Sequence, residues 1–131
     1  MSMPFSIRFT VRFRDIDALG HVNNAVYFTY MESARTEYWL TRFCTDDLRR
    51  LNFIVARAEC DFKKAARFGD ELEVGIKTSS IGNSSFVWDY EIKKAQTGEL
   101  LATGKTIQVY YDYTSERSMP VPDDVRQKLL L

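Results

Sequence analysis

Between Val11 and Trp39 the chain reads VRFRDIDALGHVNNAVYFTYMESARTEYW, the end of an alternating stretch, a short polar loop and then one long apolar helix. The loop holds two carboxylates, Asp15 and Asp17, the single histidine of the chain, His21, a glycine, Gly20, and the adjacent asparagines Asn23 and Asn24. All of them stand just ahead of the point where a helical period begins. A helix N-terminus has unpaired N–H groups and a partial positive charge, which suits anions and developing oxyanions. Acidic and amide side chains gathered there point either to chemistry or to capping, and Asn23 or Asn24 is the expected N-cap.

From Ala25 to about Phe43, the apolar residues Val26, Tyr27, Tyr30, Met31, Ala34, Tyr38 and Trp39 recur at spacings of three and four, and Phe28 and Leu40 widen the stripe. A helix this apolar needs enclosure on most sides, which a sheet supplies. Before it, Ile7, Phe9, Val11 and Phe13 alternate with polar residues as a half-buried strand. After a polar connection with a short helical turn in 45–52, four more strands are expected. Ile54, Ala56, Ala58, Cys60 and Phe62 form one face of the first, with Glu59 and Asp61 on the solvated side. Leu72, Val74, Ile76 and Thr78 mark the next, and Phe86, Trp88, Tyr90 and Ile92 the third. Leu101, Ile107, Val109, Tyr111 and Tyr113 belong to the last. Gly69, Gly82-Asn83 and Thr97-Gly98 are turn signals between them. Pro122-Asp-Asp opens a short terminal helix. One helix against five antiparallel strands is an α+β layer architecture in a single domain, 1–131. Such a sheet has two edges, and edges invite pairing with a second copy.

Bulk properties narrow the function classes. Basic and acidic residues number 18 each, so net charge favours neither nucleic acid nor an acidic membrane. The start, MSMPFSIRF, lacks a signal-peptide pattern, and no stretch has the length of a membrane span. Cys44 and Cys60 match no metal spacing, and one histidine precludes a two-histidine zinc site within one chain. No metal and no cofactor are expected, and a reducing, cytoplasmic setting with free thiols is.

The run Asp15-x-Asp17-x-x-Gly20-His21-Val22-Asn23-Asn24, followed by the aromatic helix ending Glu32-Ser-Ala-Arg35, resembles the 4-hydroxybenzoyl-CoA thioesterase branch of the hotdog-fold superfamily and the matching region of acyl-ACP thioesterases. Ala66-Arg-Phe-Gly-Asp-Glu-Leu-Glu-Val74 is a second echo, and the likeness runs from about Ile7 to Tyr113. The resemblance implies a five-stranded sheet wrapped around the helix. It also implies a homodimer with a continuous sheet, in places a tetramer of two dimers, with active sites at the subunit interface. It places the catalytic carboxylate at Asp17 and the oxyanion-binding backbone N–H at Asn24. Asp15 then braces the loop or, with His21 and Asn23, plays a secondary part in the chemistry. His21 and the asparagine pair depart from branch members with apolar or tyrosine residues there, which bears on acyl preference.

The implied chemistry suits so small a set of groups. A thiol with a pKa of about 8.5 leaves as thiolate with little help, so one carboxylate and an oxyanion site suffice. Asp17 would attack the carbonyl as a nucleophile or deprotonate a water as a base. An oxyanion donor is typically worth ~3–4 kcal/mol. The substrate implied is an acyl-CoA, or an acyl carrier protein thioester, with Arg57, Lys63, Lys64, Arg67 and Lys105 as candidates for the coenzyme A phosphates. Tyr27, Tyr30 and Tyr38 read as core. Two other functions compete on the same fold: a hydratase or dehydratase that uses His21, and an acyl-CoA-binding module without turnover.

Overall fold

The computed structural model describes residues 3–131. Its elements are β1 (Phe5–Thr10), α1 (Asn24–Arg42), β2 (Phe53–Phe62), β3 (Glu71–Ile81), β4 (Ser85–Lys94), β5 (Leu100–Asp112), β6 (Arg117–Ser118) and α2 (Asp123–Leu129). The strands pair antiparallel in the order β1-β3-β4-β5-β2, with the two-residue β6 alongside the end of β5. The two strands that flank α1 in sequence are therefore the two edges of the sheet. The chain leaves one edge, runs along α1 across the inner face, and returns at the other.

The helical period set by the apolar residues of α1 is the one observed. Tyr27, Tyr30, Met31, Ala34, Tyr38 and Trp39 are all buried, against Leu72, Val74 and Ile76 of β3 and Phe86, Trp88, Tyr90 and Ile92 of β4. Each such side chain removed from water contributes ~1.5–3 kcal/mol. Trp39 sits among Phe53, Phe86 and Trp88, with ring centroids 5.0, 6.1 and 6.3 Å away. The polar tips of these aromatics are satisfied, as burial demands. Trp39 donates Nε1–H to the Arg50 carbonyl at 2.8 Å. Tyr38 donates its hydroxyl to the Leu129 carbonyl at 3.1 Å, which ties α2 to the core. Met31 fills the space above Gly104, where a Cβ would overlap its sulfur.

Three local expectations are corrected. β1 stops at Thr10, and Phe13 is 74% exposed in a 3-10 turn, Phe13–Asp15. The β2 alternation does not run straight through. A bulge between Val55 and Arg57 shifts its register on β5. Phe53, paired with Tyr110, is buried against the α1 aromatics, so Val55 shares the inner face with Ala58, Cys60 and Phe62, while Ile54 lies on the outer one. Tyr113 falls just beyond β5, and the region after Ser115 contributes β6.

Candidate active site

The loop between β1 and α1 is built around Asp15. Its carboxylate is 3% exposed and receives four donors: the Arg12 backbone N–H at 3.1 Å, Arg12 Nε at 3.3 Å, Arg12 Nη2 at 3.1 Å and the Tyr30 hydroxyl at 2.9 Å. Burial pushes this carboxyl up, but the Arg12 side chain, the Arg12 N–H and Tyr30 together outweigh it and hold it below the usual value. Burial and the hydrogen bond to Asp15 push the Tyr30 phenol well above its ordinary value, so it is a fixed donor. The Asp15 carbonyl in turn takes the Asn23 N–H at 2.9 Å. Asp15 thus ties Arg12, Tyr30 and Asn23 together across the loop.

Asp17 has the opposite environment. It is exposed, and its Oδ1 takes the N–H groups of Leu19 at 2.9 Å and His21 at 3.3 Å. Among the described residues Oδ2 has no hydrogen-bond partner. The tight return of the loop depends on Gly20, at φ +82°, a conformation that costs a glycine little. The Asp17 N–H closes the turn onto the His21 carbonyl at 2.7 Å.

Asn23 is the N-cap of α1, and its side chain accepts the Ala25 N–H at 2.9 Å. The Asn23 carbonyl takes the Val26 N–H at 2.8 Å. The cap leaves the Asn24 N–H, the first of the helix, with no acceptor among the described residues. That N–H lies at the positive end of a 19-residue helix.

A second loop completes the wall. The Val22 N–H donates to the Ala66 carbonyl at 2.8 Å, and His21 forms a β-bridge with Arg67. The Ala66 N–H donates to the Tyr27 hydroxyl at 3.1 Å. Asp17, His21, Asn24, Tyr27, Phe62, Lys63 and Lys64 meet around a depression of about 190 Å³. Tyr27 and Phe62 form one side, edge to face with centroids 5.1 Å apart.

Most of the residues singled out in the sequence come together here: Asp17, His21, Asn24, Lys63 and Lys64 at the depression, Asn23 and Asp15 behind it, Arg67 beside His21. Arg57 and Lys105 do not, since both lie on the outer sheet face, and Arg57 pairs with Glu59 at 3.3 Å. Tyr27, read as core, is buried and also lines the depression. Its position one turn past the cap was the available signal. Phe62 was not singled out, and no local pattern could place it beside the helix start. Cys60, on the inner face of β2, has its thiol pushed up to about 11 by burial and by Asp61, which keeps it protonated and unreactive. Among the described residues no three potential metal ligands cluster, and no helix is long and apolar enough to cross a membrane.

Comparison with known proteins identifies the family of the chain. The family profile described as the thioesterase-like superfamily matches residues 11–129. A Thermus thermophilus thioesterase, solved in complex with coenzyme A and zinc, is 38% identical, with a TM-score of 0.86 over 98% of this chain and 93% of that one. A 1,4-dihydroxy-2-naphthoyl-CoA hydrolase of Nostoc punctiforme is 29% identical over 97% of this chain and 87% of its own length. The chloroplastic acyl-acyl carrier protein thioesterase ATL3 of Arabidopsis thaliana is 28% identical over 99% of this chain and 70% of its own. The family match covers both loops of the depression, the capped helix and the strands from β2 to β6, and this chain belongs to the thioesterase-like superfamily as a hotdog-fold enzyme of the acyl-CoA thioesterase type.

Proposed function

We propose that the enzyme hydrolyses an acyl-CoA thioester to the free acid and coenzyme A, with Asp17 as the reacting carboxylate and the Asn24 N–H as the oxyanion donor. One observation carries the reading: a carboxylate with a free oxygen and an unpaired helix-start N–H line the same small depression. The substrate carbonyl oxygen lies against the Asn24 N–H, and negative charge grows on it as the tetrahedral intermediate forms. In one course Asp17 Oδ2 bonds to the carbonyl carbon, the C–S bond breaks, coenzyme A leaves as thiolate, and water then cleaves the mixed anhydride. In the other Oδ2 takes a proton from water as its oxygen bonds to the carbonyl carbon, the C–S bond of the tetrahedral intermediate then breaks with coenzyme A leaving as thiolate, and no acyl-enzyme forms. The N–H groups of Leu19 and His21 on Oδ1 hold the carboxylate in place for either course.

The unit that works is a homodimer joined through β2. β2 is an edge strand whose residues from Ile54 to Glu59 are all exposed in the single chain, apolar Ile54, Val55, Ala56 and Ala58 among them. An open apolar edge of this kind is what a second copy covers.

His21 lines the depression too, which gives a dehydratase reading its one foothold. Thiol release from a panel of acyl-CoA esters, short and long, aliphatic and aromatic, separates the two readings. The His21→Ala variant is expected to keep hydrolysing whichever ester the wild type accepts. A variant that loses all turnover, with wild type hydrating an enoyl ester instead, would transfer the chemistry to His21.

A further inference from the structure

Two large aromatic side chains stand out in the solvent beside the depression. Phe13 is 74% and Phe68 61% exposed, yet their rings adjoin, edge to face, with centroids 6.1 Å apart. They sit on the two loops that form the site. Phe13 is four residues before Asp17, so its Cα lies within about 14 Å of that of Asp17. Phe68 follows Arg67, which bridges to His21. The loop carrying Phe68 turns at Gly69, φ +84°, and is fixed to the first loop by Val11 N–H to the Asp70 carbonyl at 2.9 Å and Gly69 N–H to the Val11 carbonyl at 3.2 Å. The patch is a built platform, then, on ordered backbone.

Its surroundings are basic. Arg14, Lys63 and Arg67 are exposed, and none makes an ion pair among the described residues. Of the nearby acids, Asp15 is buried under Arg12 and Tyr30 and Asp70 accepts the Arg67 N–H at 2.9 Å, while Asp17, with its free oxygen, lies in the depression itself. Lys64 is neutralised by Glu99 at 2.8 Å. An aromatic pair on two loops that also carry unpaired cations is the chemistry that receives a flat base and its phosphates.

We infer that Phe13 and Phe68 form the docking platform for the nucleotide end of the substrate, the adenine stacking on the ring pair and the phosphates meeting Arg14, Lys63 and Arg67. The inference rests on the acyl-CoA reading and sharpens it: the thioester carrier is recognised by its 3′-phospho-ADP, from which the pantetheine arm reaches back to Asp17. The platform lies outside the reacting groups, so it contributes to binding and leaves the bond-breaking step alone.

The test is the double variant Phe13→Ala/Phe68→Ala, assayed on the best acyl-CoA of the panel and on the pantetheine thioester of the same acid. Both residues are exposed, so the fold tolerates the change. The expected result is a loss of about tenfold or more in kcat/KM for the CoA ester, carried by KM, with the pantetheine ester unchanged. Calorimetry with 3′-phospho-ADP alone should show binding to wild type and about tenfold weaker binding to the variant. An equal loss on both esters, no loss on either, or a loss confined to an acyl carrier protein thioester would overturn the proposal. Wild type that cleaves neither ester but binds 3′-phospho-ADP at this platform would instead count against the hydrolysis reading and leave the nucleotide site standing.

Discussion

Two carboxylates two residues apart have been given different work by what surrounds them. Asp15 is buried and saturated by Arg12 and Tyr30, whereas Asp17 is exposed and keeps one oxygen free. A carboxyl held below its ordinary value in the folded state stabilises the fold at pH above the unfolded value of about 4, and that stability is lost as pH falls from there through the lowered one. Asp15→Asn should therefore flatten the acid limb of the stability profile below about pH 4. Tyr30→Phe removes a hydrogen bond to a buried charge and should cost about 1.5–3 kcal/mol in urea unfolding at neutral pH. A neutral result for Tyr30→Phe would mean that Arg12 alone suffices to hold the loop.

At the scale of elements, α1 carries the site because its cap uses two N–H groups and leaves the Asn24 N–H free. Asn23→Ala should cost about 1 kcal/mol of stability, read as a lowered Tm. It should also lower kcat, because the oxyanion donor loses its fixed direction. An unchanged kcat would move the oxyanion site away from the helix start. The helix, its cap to within one residue and the succession of strands along the chain were legible in the sequence because period and capping chemistry are local. The β2 bulge was not, since it is set by pairing of β2 on β5 and leaves the apolar pattern from Ile54 to Phe62 apparently unbroken. Phe13 misled for a similar reason: the alternation continues, but Asp15 draws the backbone into a turn. At the site, the motif marked Asp17, His21 and Asn24, while Phe62 and the Phe13–Phe68 pair come together only through tertiary contact between loops.

The molecule as a whole places the proposed reacting groups beside one open edge. The strands before and after α1 are the two sheet edges, and the β2 edge ends at Phe62 and Lys63 in the depression. Pairing of two β2 strands would thus join the sheets and bring a second chain against each site. Val55→Lys, on the inner face of that edge, should convert a dimer into a monomer by light scattering and reduce turnover with it. A dimer that persists would put the interface elsewhere. The account as a whole stands on the free oxygen of Asp17. Its most direct test is the steady-state rate of thiol release from the preferred acyl-CoA by wild type and by Asp17→Asn, whose amide keeps the shape but neither attacks nor takes a proton. The expected result is a loss of kcat of about a hundredfold or more with little change in KM. An Asp17→Asn enzyme that turns over at the wild-type rate would contradict the account.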